Sequence, residues 1–103
     1  MPFLYLTTRG WKTGRPHQIE IWYVEVGGSY YIISEMRERS HWVQNIRREP
    51  KVSFTVDEKK LGGRARIVDA TNEIELAGRV TRSMNELYRW SAGTIVALTP
   101  SDG

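Results

Sequence analysis

Between two stretches rich in aromatic and β-branched residues lies Arg9-Gly10-Trp11-Lys12-Thr13-Gly14-Arg15. Arg9, Lys12 and Arg15 surround one hydroxyl, Thr13, and two glycines, and no Asp or Glu occurs in residues 1–19. Glycines let backbone N–H groups approach an anion closely, and Lys and Arg add charge-assisted hydrogen bonds, so this composition suits a phosphate. The spacing is not that of a Walker loop, and no helix pattern follows it. A solvated strand connection has much the same composition, and the residues alone leave both readings open.

A second candidate runs from Ser40 to Asn45. Ser40 is placed to cap a short helix whose first N–H groups form an anion-friendly end. Trp42 and Asn45 are three residues apart and share one face of that helix. Either they pack into the core, or Trp42 walls a planar ligand while Asn45 donates a hydrogen bond to it. Asn is a poor helix former, which favours a task for it. His17 and His41 lack a nucleophile partner and read as rim and surface residues. Arg64 and Arg66 alternate on one strand face and read as exposed or paired across strands, with a phosphate contact the lesser reading. Tyr23, Tyr30, Tyr31 and Tyr88 read mostly as core or subunit contacts, with a strand tyrosine as proton donor beside a cofactor the lesser reading. No Ser-His-Asp set, carboxylate pair or metal-ligand spacing is visible, and there is no cysteine. If the chain is an enzyme, a cofactor carries the chemistry.

The elements that must position these residues follow from pattern. A chain of 103 residues with 40% hydrophobic and 26% charged residues fits one domain, residues 1–103, with one modest core. A formal charge of +3 is too mild for a general nucleic-acid surface. No apolar run approaches the length of a membrane span, and the first residues lack the features of a signal peptide, so the expectation is a soluble cytoplasmic protein. Phe3–Thr8 reads as a strand, as do His17–Val26, Ser29–Ser34, Lys51–Val56, Arg64–Asp69 and Thr94–Thr99, with Gly27-Gly28 a hairpin turn. Both faces of His17–Val26 carry apolar side chains, as in a strand covered on two sides. A charged turn is expected over Asp57–Gly63. A short helix begins at Ser40 and stops at Pro50, with Arg47-Arg48 suiting its negative end. A longer one begins in a capping-box-like Asn72-x-x-Glu75 and ends by Gly93. Its apolar stripe is Ala77, Val80, Met84, Leu87 and Ser91, flanked by Ile74 and Tyr88. The fold class is therefore mainly β: a six-stranded antiparallel sheet rolled into a small barrel, with two helices plugging its openings.

Leu6-Thr7-Thr8-Arg9-Gly10-Trp11-Lys12-Thr13-Gly14-Arg15-Pro16 resembles the opening motif of the deazaflavin-dependent nitroreductase family, a branch of the flavin-binding split β-barrels. Ser29–Ser34, Trp42-Val43-Gln44-Asn45-Ile46-Arg47-Arg48-Glu49-Pro50-Lys51-Val52, Ala65–Val68 and Ile95–Pro100 extend the resemblance over nearly the whole chain. It implies a split barrel that holds coenzyme F-420, a 5-deazaflavin, or in relatives FMN. By the same resemblance the cofactor phosphate falls to Lys12, Thr13 and Arg15, with Arg9, Trp11 and Gly14 in the same loop. Ser34, Glu35, Met36, Arg37, Arg39 and Ser40 would lie along the ring, and Trp42 and Asn45 match residues of the cofactor site. The implied reaction is hydride transfer to a quinone, nitro compound or activated alkene. The sequence departs from the family pattern in Trp11, where Arg is usual, and in Glu35-Met36-Arg37-Glu38, where glycines are usual. It also begins at the first strand, where many relatives carry a helical segment.

A barrel this small has little interior, so the expectation is an open groove completed by a second subunit, hence a homodimer with a small-molecule electron acceptor as partner. Two alternatives remain at this level. One is a storage or sensing module that binds the flavin without turnover. The other, weaker, is a small basic barrel that binds single-stranded nucleic acid through Trp11.

Overall fold

The computed structural model describes residues 3–10, 12–35 and 40–101. In chain order the elements are β1 (Phe3–Arg9), β2 (Pro16–Trp22), β3 (Val24–Val26), β4 (Ser29–Ser34), α1 (His41–Arg48), β5 (Lys51–Val56), β6 (Lys59–Ile67), α2 (Ile74–Tyr88) and β7 (Thr94–Pro100). All strands join one antiparallel sheet, ordered β2-β1-β5-β6-β7-β4-β3. Seven strands replace the six expected because His17–Val26 divides at Tyr23. The first half pairs with β1 from Phe3↔Trp22 to Arg9↔Pro16, and the second pairs with β4 through Val24↔Tyr31. The two edges of the sheet are thus consecutive in sequence, and the bend at Tyr23 is what rolls it. Only the distal part of β2 is covered; Pro16, His17 and Gln18 are exposed.

Period-two alternation sorts side chains to two cores. Leu4, Leu6, Ile32, Val52, Phe54, Val56, Ala65, Val96 and Leu98 point inward and meet Trp42, Val43 and Ile46 of α1, which plugs the interior. Tyr31, Ile33, Ile95 and Ala97 point outward and meet Ala77, Val80, Met84 and Tyr88 of α2. The longer helix therefore covers the outer face of β3, β4 and β7 instead of plugging an opening. A sheet that buries both faces of its central strands explains their unbroken apolar runs.

Other expectations change for local reasons. The charged turn shrinks to Asp57-Glu58, both at positive φ (49° and 67°), and β6 starts at Lys59 because Val56↔Lys59 already pair. Its lysines sit on an open face, where charge costs nothing. At the start of α2, Asn72 is not the cap: Glu73 takes that place, and Asn72 donates to the Asp69 carboxylate at 2.6 Å instead. The helix ends at Tyr88, with Arg89 in the left-handed region (φ 57°), four residues before Gly93. Its buried stripe is Ala77, Val80, Met84 and Tyr88, while Ile74 and Leu87 are 70% and 55% exposed. Ser40 does occupy the N-cap of α1, yet its hydroxyl makes no cap hydrogen bond.

Candidate functional site

The β1–β2 loop holds its shape through its own backbone. Gly10 N–H donates to the Arg15 carbonyl and Gly14 N–H to the Gly10 carbonyl, each at 2.8 Å, with Gly14 at φ 72°. Arg15 N–H donates to Thr13 Oγ1 at 3.3 Å, and Arg9 Nη1 turns back to the Gly14 carbonyl at 3.4 Å. Lys12, Thr13 and Arg15 are left exposed along one wall of a cavity of about 500 Å³. His41, Gln44 and Asn45 of α1 form the opposite wall, and His17 at the start of β2 completes it. Every formal charge on the described lining is positive. Such a cavity suits an anion, as Lys and Arg donors in fixed positions suit phosphate.

Asn45 is 4% exposed, and its Nδ2 donates at 3.0 Å to Oγ1 of Thr8, itself 2% exposed. This buried bond ties α1 to β1 and so holds the two walls of the cationic cavity together.

One turn earlier on α1, Trp42 faces a second cavity, of about 740 Å³. It is lined from β1, β2, β4, α1 and the end of α2, and residues from both faces of the sheet reach it. Trp22 stacks on Tyr88 (centroids 4.7 Å apart, 6° between planes) and meets Trp90 edge-on (6.4 Å, 74°). Phe3 lies 6.4 Å from Trp22. The Tyr88 hydroxyl donates to the Tyr23 carbonyl at the β2–β3 bend, and burial pushes its phenol above the usual tyrosine range. Ser34 and Ser40 share a 2.6 Å hydrogen bond between their hydroxyls and also line this cavity, as do Glu20 and Glu35.

The structure thus divides the expected residues into two groups joined by α1. Lys12, Thr13, Arg15 and Asn45 line the cationic cavity; Ser34, Glu35, Ser40 and Trp42 line the aromatic one. Gly14 shapes the loop, and the Arg9 guanidinium is engaged within it. Trp11, Met36, Arg37 and Arg39 lie outside the described residues. His17 and His41, read from sequence as rim and surface residues, are exposed and line the cationic cavity. Sequence reasoning missed Phe3, Glu20, Trp22 and Trp90; Tyr88, read as core or subunit contact, is buried in the outer core and also lines this cavity. Their signal was weak: a Trp at each of two element ends, 68 residues apart, which only the fold brings into contact. Among the described residues no group of three His, Asp or Glu could hold a metal ion.

A deazaflavin or flavin joins a flat, largely apolar ring system to a phosphate-bearing chain. The residues present fit that outline, because a cation-lined and an aromatic-lined cavity flank the first turns of one helix. Lys12, Thr13 and Arg15 are the residues that would hold the phosphate end, and Trp42, Ser34 and Ser40 those nearest the ring. When bound, the reduced group supplies a hydride equivalent.

The family model described as F420H(2)-dependent quinone reductase matches residues 1–99. A conserved hypothetical protein of Mycobacterium tuberculosis has a similar structure (TM-score 0.79, 22% identity, covering 100% of this chain and 74% of that one). The heme storage protein HutZ of Vibrio cholerae is also similar (TM-score 0.77, 18% identity, 98% and 82% covered). So is an F420-H2 dependent reductase (TM-score 0.65, 23% identity, 94% and 93% covered). At these identities the structures show the fold alone, and it is the split β-barrel. No curated protein sequence matches. No helix of the described residues is long and apolar enough to cross a membrane. The chain belongs to the F420H(2)-dependent quinone reductase family, and is accordingly an oxidoreductase that works with a bound deazaflavin or flavin.

Proposed function

We propose that this protein reduces small planar acceptors of the quinone, nitro or activated-alkene type, with the cofactor's phosphate in the cationic cavity and its ring at the aromatic one. The observation that supports this most is the pairing of the two cavities across α1, with Lys12, Thr13 and Arg15 at one end and Trp22, Trp42, Tyr88 and Trp90 at the other. The protein groups bind and orient. Lys12 and Arg15 neutralise the anionic end, and Trp42 offers a flat apolar wall that excludes water from the reacting face. The hydrogen-bonded hydroxyls of Ser34 and Ser40 give this otherwise apolar wall a polar edge.

Titration of the purified protein with reduced and oxidised deazaflavin and with FMN, followed by a menadione reduction assay, tests this reading. Saturable binding of one cofactor with turnover is expected, and flat titrations with both would sink it. Lys12→Ala should weaken cofactor binding by about 1–3 kcal/mol, as expected for a lost charge-assisted bond, and leave thermal stability nearly unchanged. We further propose that a second copy of the chain completes the groove, since Phe3 and Tyr5 are both 43% exposed on the uncovered outer face of β1. Light scattering coupled to size exclusion should then give twice the monomer mass of 11.9 kDa.

A further inference from the structure

The described linings of the two cavities carry formal charges of opposite sign. Lys12 and Arg15 line one, whereas the formal charges on the described lining of the aromatic cavity are Glu20 and Glu35 alone. The two carboxylates come from different elements. Glu20 stands on the outer face of β2, opposite Tyr5 of β1, and Glu35 follows the end of β4. Trp22 and Trp42 line the same cavity, and the faces of aromatic rings carry negative charge density. Carboxylates and ring faces therefore act in the same sense, and both favour a cation over the cavity.

We propose that the aromatic cavity sorts electron acceptors by charge, taking planar cations most readily, neutral ring systems next, and rejecting anionic ones. This rests on the reductase reading for its chemistry but on the lining residues for its order. The redox step favours the same order. A phenothiazinium dye takes two electrons and one proton, as a hydride from the reduced cofactor, forms one N–H bond and becomes neutral, leaving the cofactor oxidised. A neutral quinone taking the same hydride becomes an anion until it is protonated, and that negative charge develops in the cavity that holds Glu20 and Glu35.

Redox-inert probes of one shape separate charge from reactivity. N-methylquinolinium, quinoline and naphthalene-2-sulfonate are all flat bicycles, and their binding is read from quenching of tryptophan fluorescence at alkaline pH. At low ionic strength the quinolinium is expected to bind about tenfold or more tighter than the sulfonate, with quinoline between. The ratio should shrink at physiological salt, where the Debye length is about 8 Å, and should collapse in the Glu20→Gln/Glu35→Gln double variant. Equal affinities, absence of quenching by all three, or a ratio unchanged in the double variant would overturn the proposal. Menadione reduction in the same preparation separates the two claims. A charge order without reduction defeats only the reductase reading, and reduction without a charge order defeats only the sorting.

Discussion

The cationic and aromatic cavities are built on opposite plans. The cationic one is local: residues 10–17 supply one wall and residues 41–45 the other. The aromatic one draws on Phe3, Glu20 to Trp22, Ile33 to Glu35, Ser40 and Trp42, and Tyr88 with Trp90, segments spread over the whole chain. A local site depends on the geometry of its own loop, whereas a dispersed site depends on tertiary packing and reports any strain in it. Substitutions that disturb packing should therefore register at the aromatic end first, and loop substitutions at the cationic end alone.

The largest test uses two glycines. Gly93 lies at φ 138°, and a Cβ there would run into the Ser34 carbonyl and come within 2.8 Å of Ile33 Cγ2. Both neighbours line the aromatic cavity, and the Ser34 carbonyl, being backbone, cannot rotate away. Gly93→Ala should cost about 3 kcal/mol or more, combining backbone strain with overpacking. At Gly10 the added carbon would meet Thr13 Oγ1 at 3.0 Å and the Arg15 carbonyl at 3.3 Å, close contacts within an exposed loop that can give. Gly10→Ala should cost about 1 kcal/mol. Urea unfolding measures both, and equal costs would erase the contrast between the two plans.

The same contrast explains what could be read from the residues. The cationic loop was legible because its chemistry sits within one short stretch of sequence, and so was the inward face of β5, where Val52, Phe54 and Val56 alternate with Ser53 and Thr55. The aromatic end was not, because Trp22 and Tyr88 stack only after α2 packs on the outer face of the sheet. Periodicity says that a side chain is buried but not on which of two cores it falls. The break at Tyr23 was hidden for a related reason: strand propensity runs on through it, and only the change of pairing partner divides the run.

A middle-sized effect sits at the link between the walls of the local site. Thr8→Val keeps shape and removes the buried hydrogen bond between the Asn45 amide and Thr8. The expected loss is about 1–2 kcal/mol of stability, together with weaker cofactor binding as α1 loosens from β1. Thr8→Ser, which keeps the hydroxyl, should restore binding. If valine weakened binding and serine did not restore it, lost packing and not the hydrogen bond would set the position of α1.

The smallest effect lies away from both cavities, at the start of α2. Arg66 donates from Nη1 and Nη2 to the two carboxylate oxygens of Glu73 at 2.9 and 2.7 Å, and Asp69 N–H donates to the same group at 2.9 Å. The paired guanidinium, followed by the backbone donor, pulls the Glu73 carboxyl down to about 2 from an ordinary 4.5. A carboxyl depressed by folding stabilises the native state above its unfolded value, and that contribution fades as pH falls from 4.5 through about 2. Glu73→Gln should therefore lower the melting temperature slightly at pH 7, by less at pH 3, and by a vanishing amount as pH falls further through about 2. The pair is solvent-exposed, so added salt should reduce the difference. Cofactor binding at pH 7 should not change in this variant, because neither cavity draws on residues 66–73. A loss of binding would mean that the N-terminal turn of α2 transmits strain along the helix to Tyr88, and the dispersed site would then extend to the far end of α2.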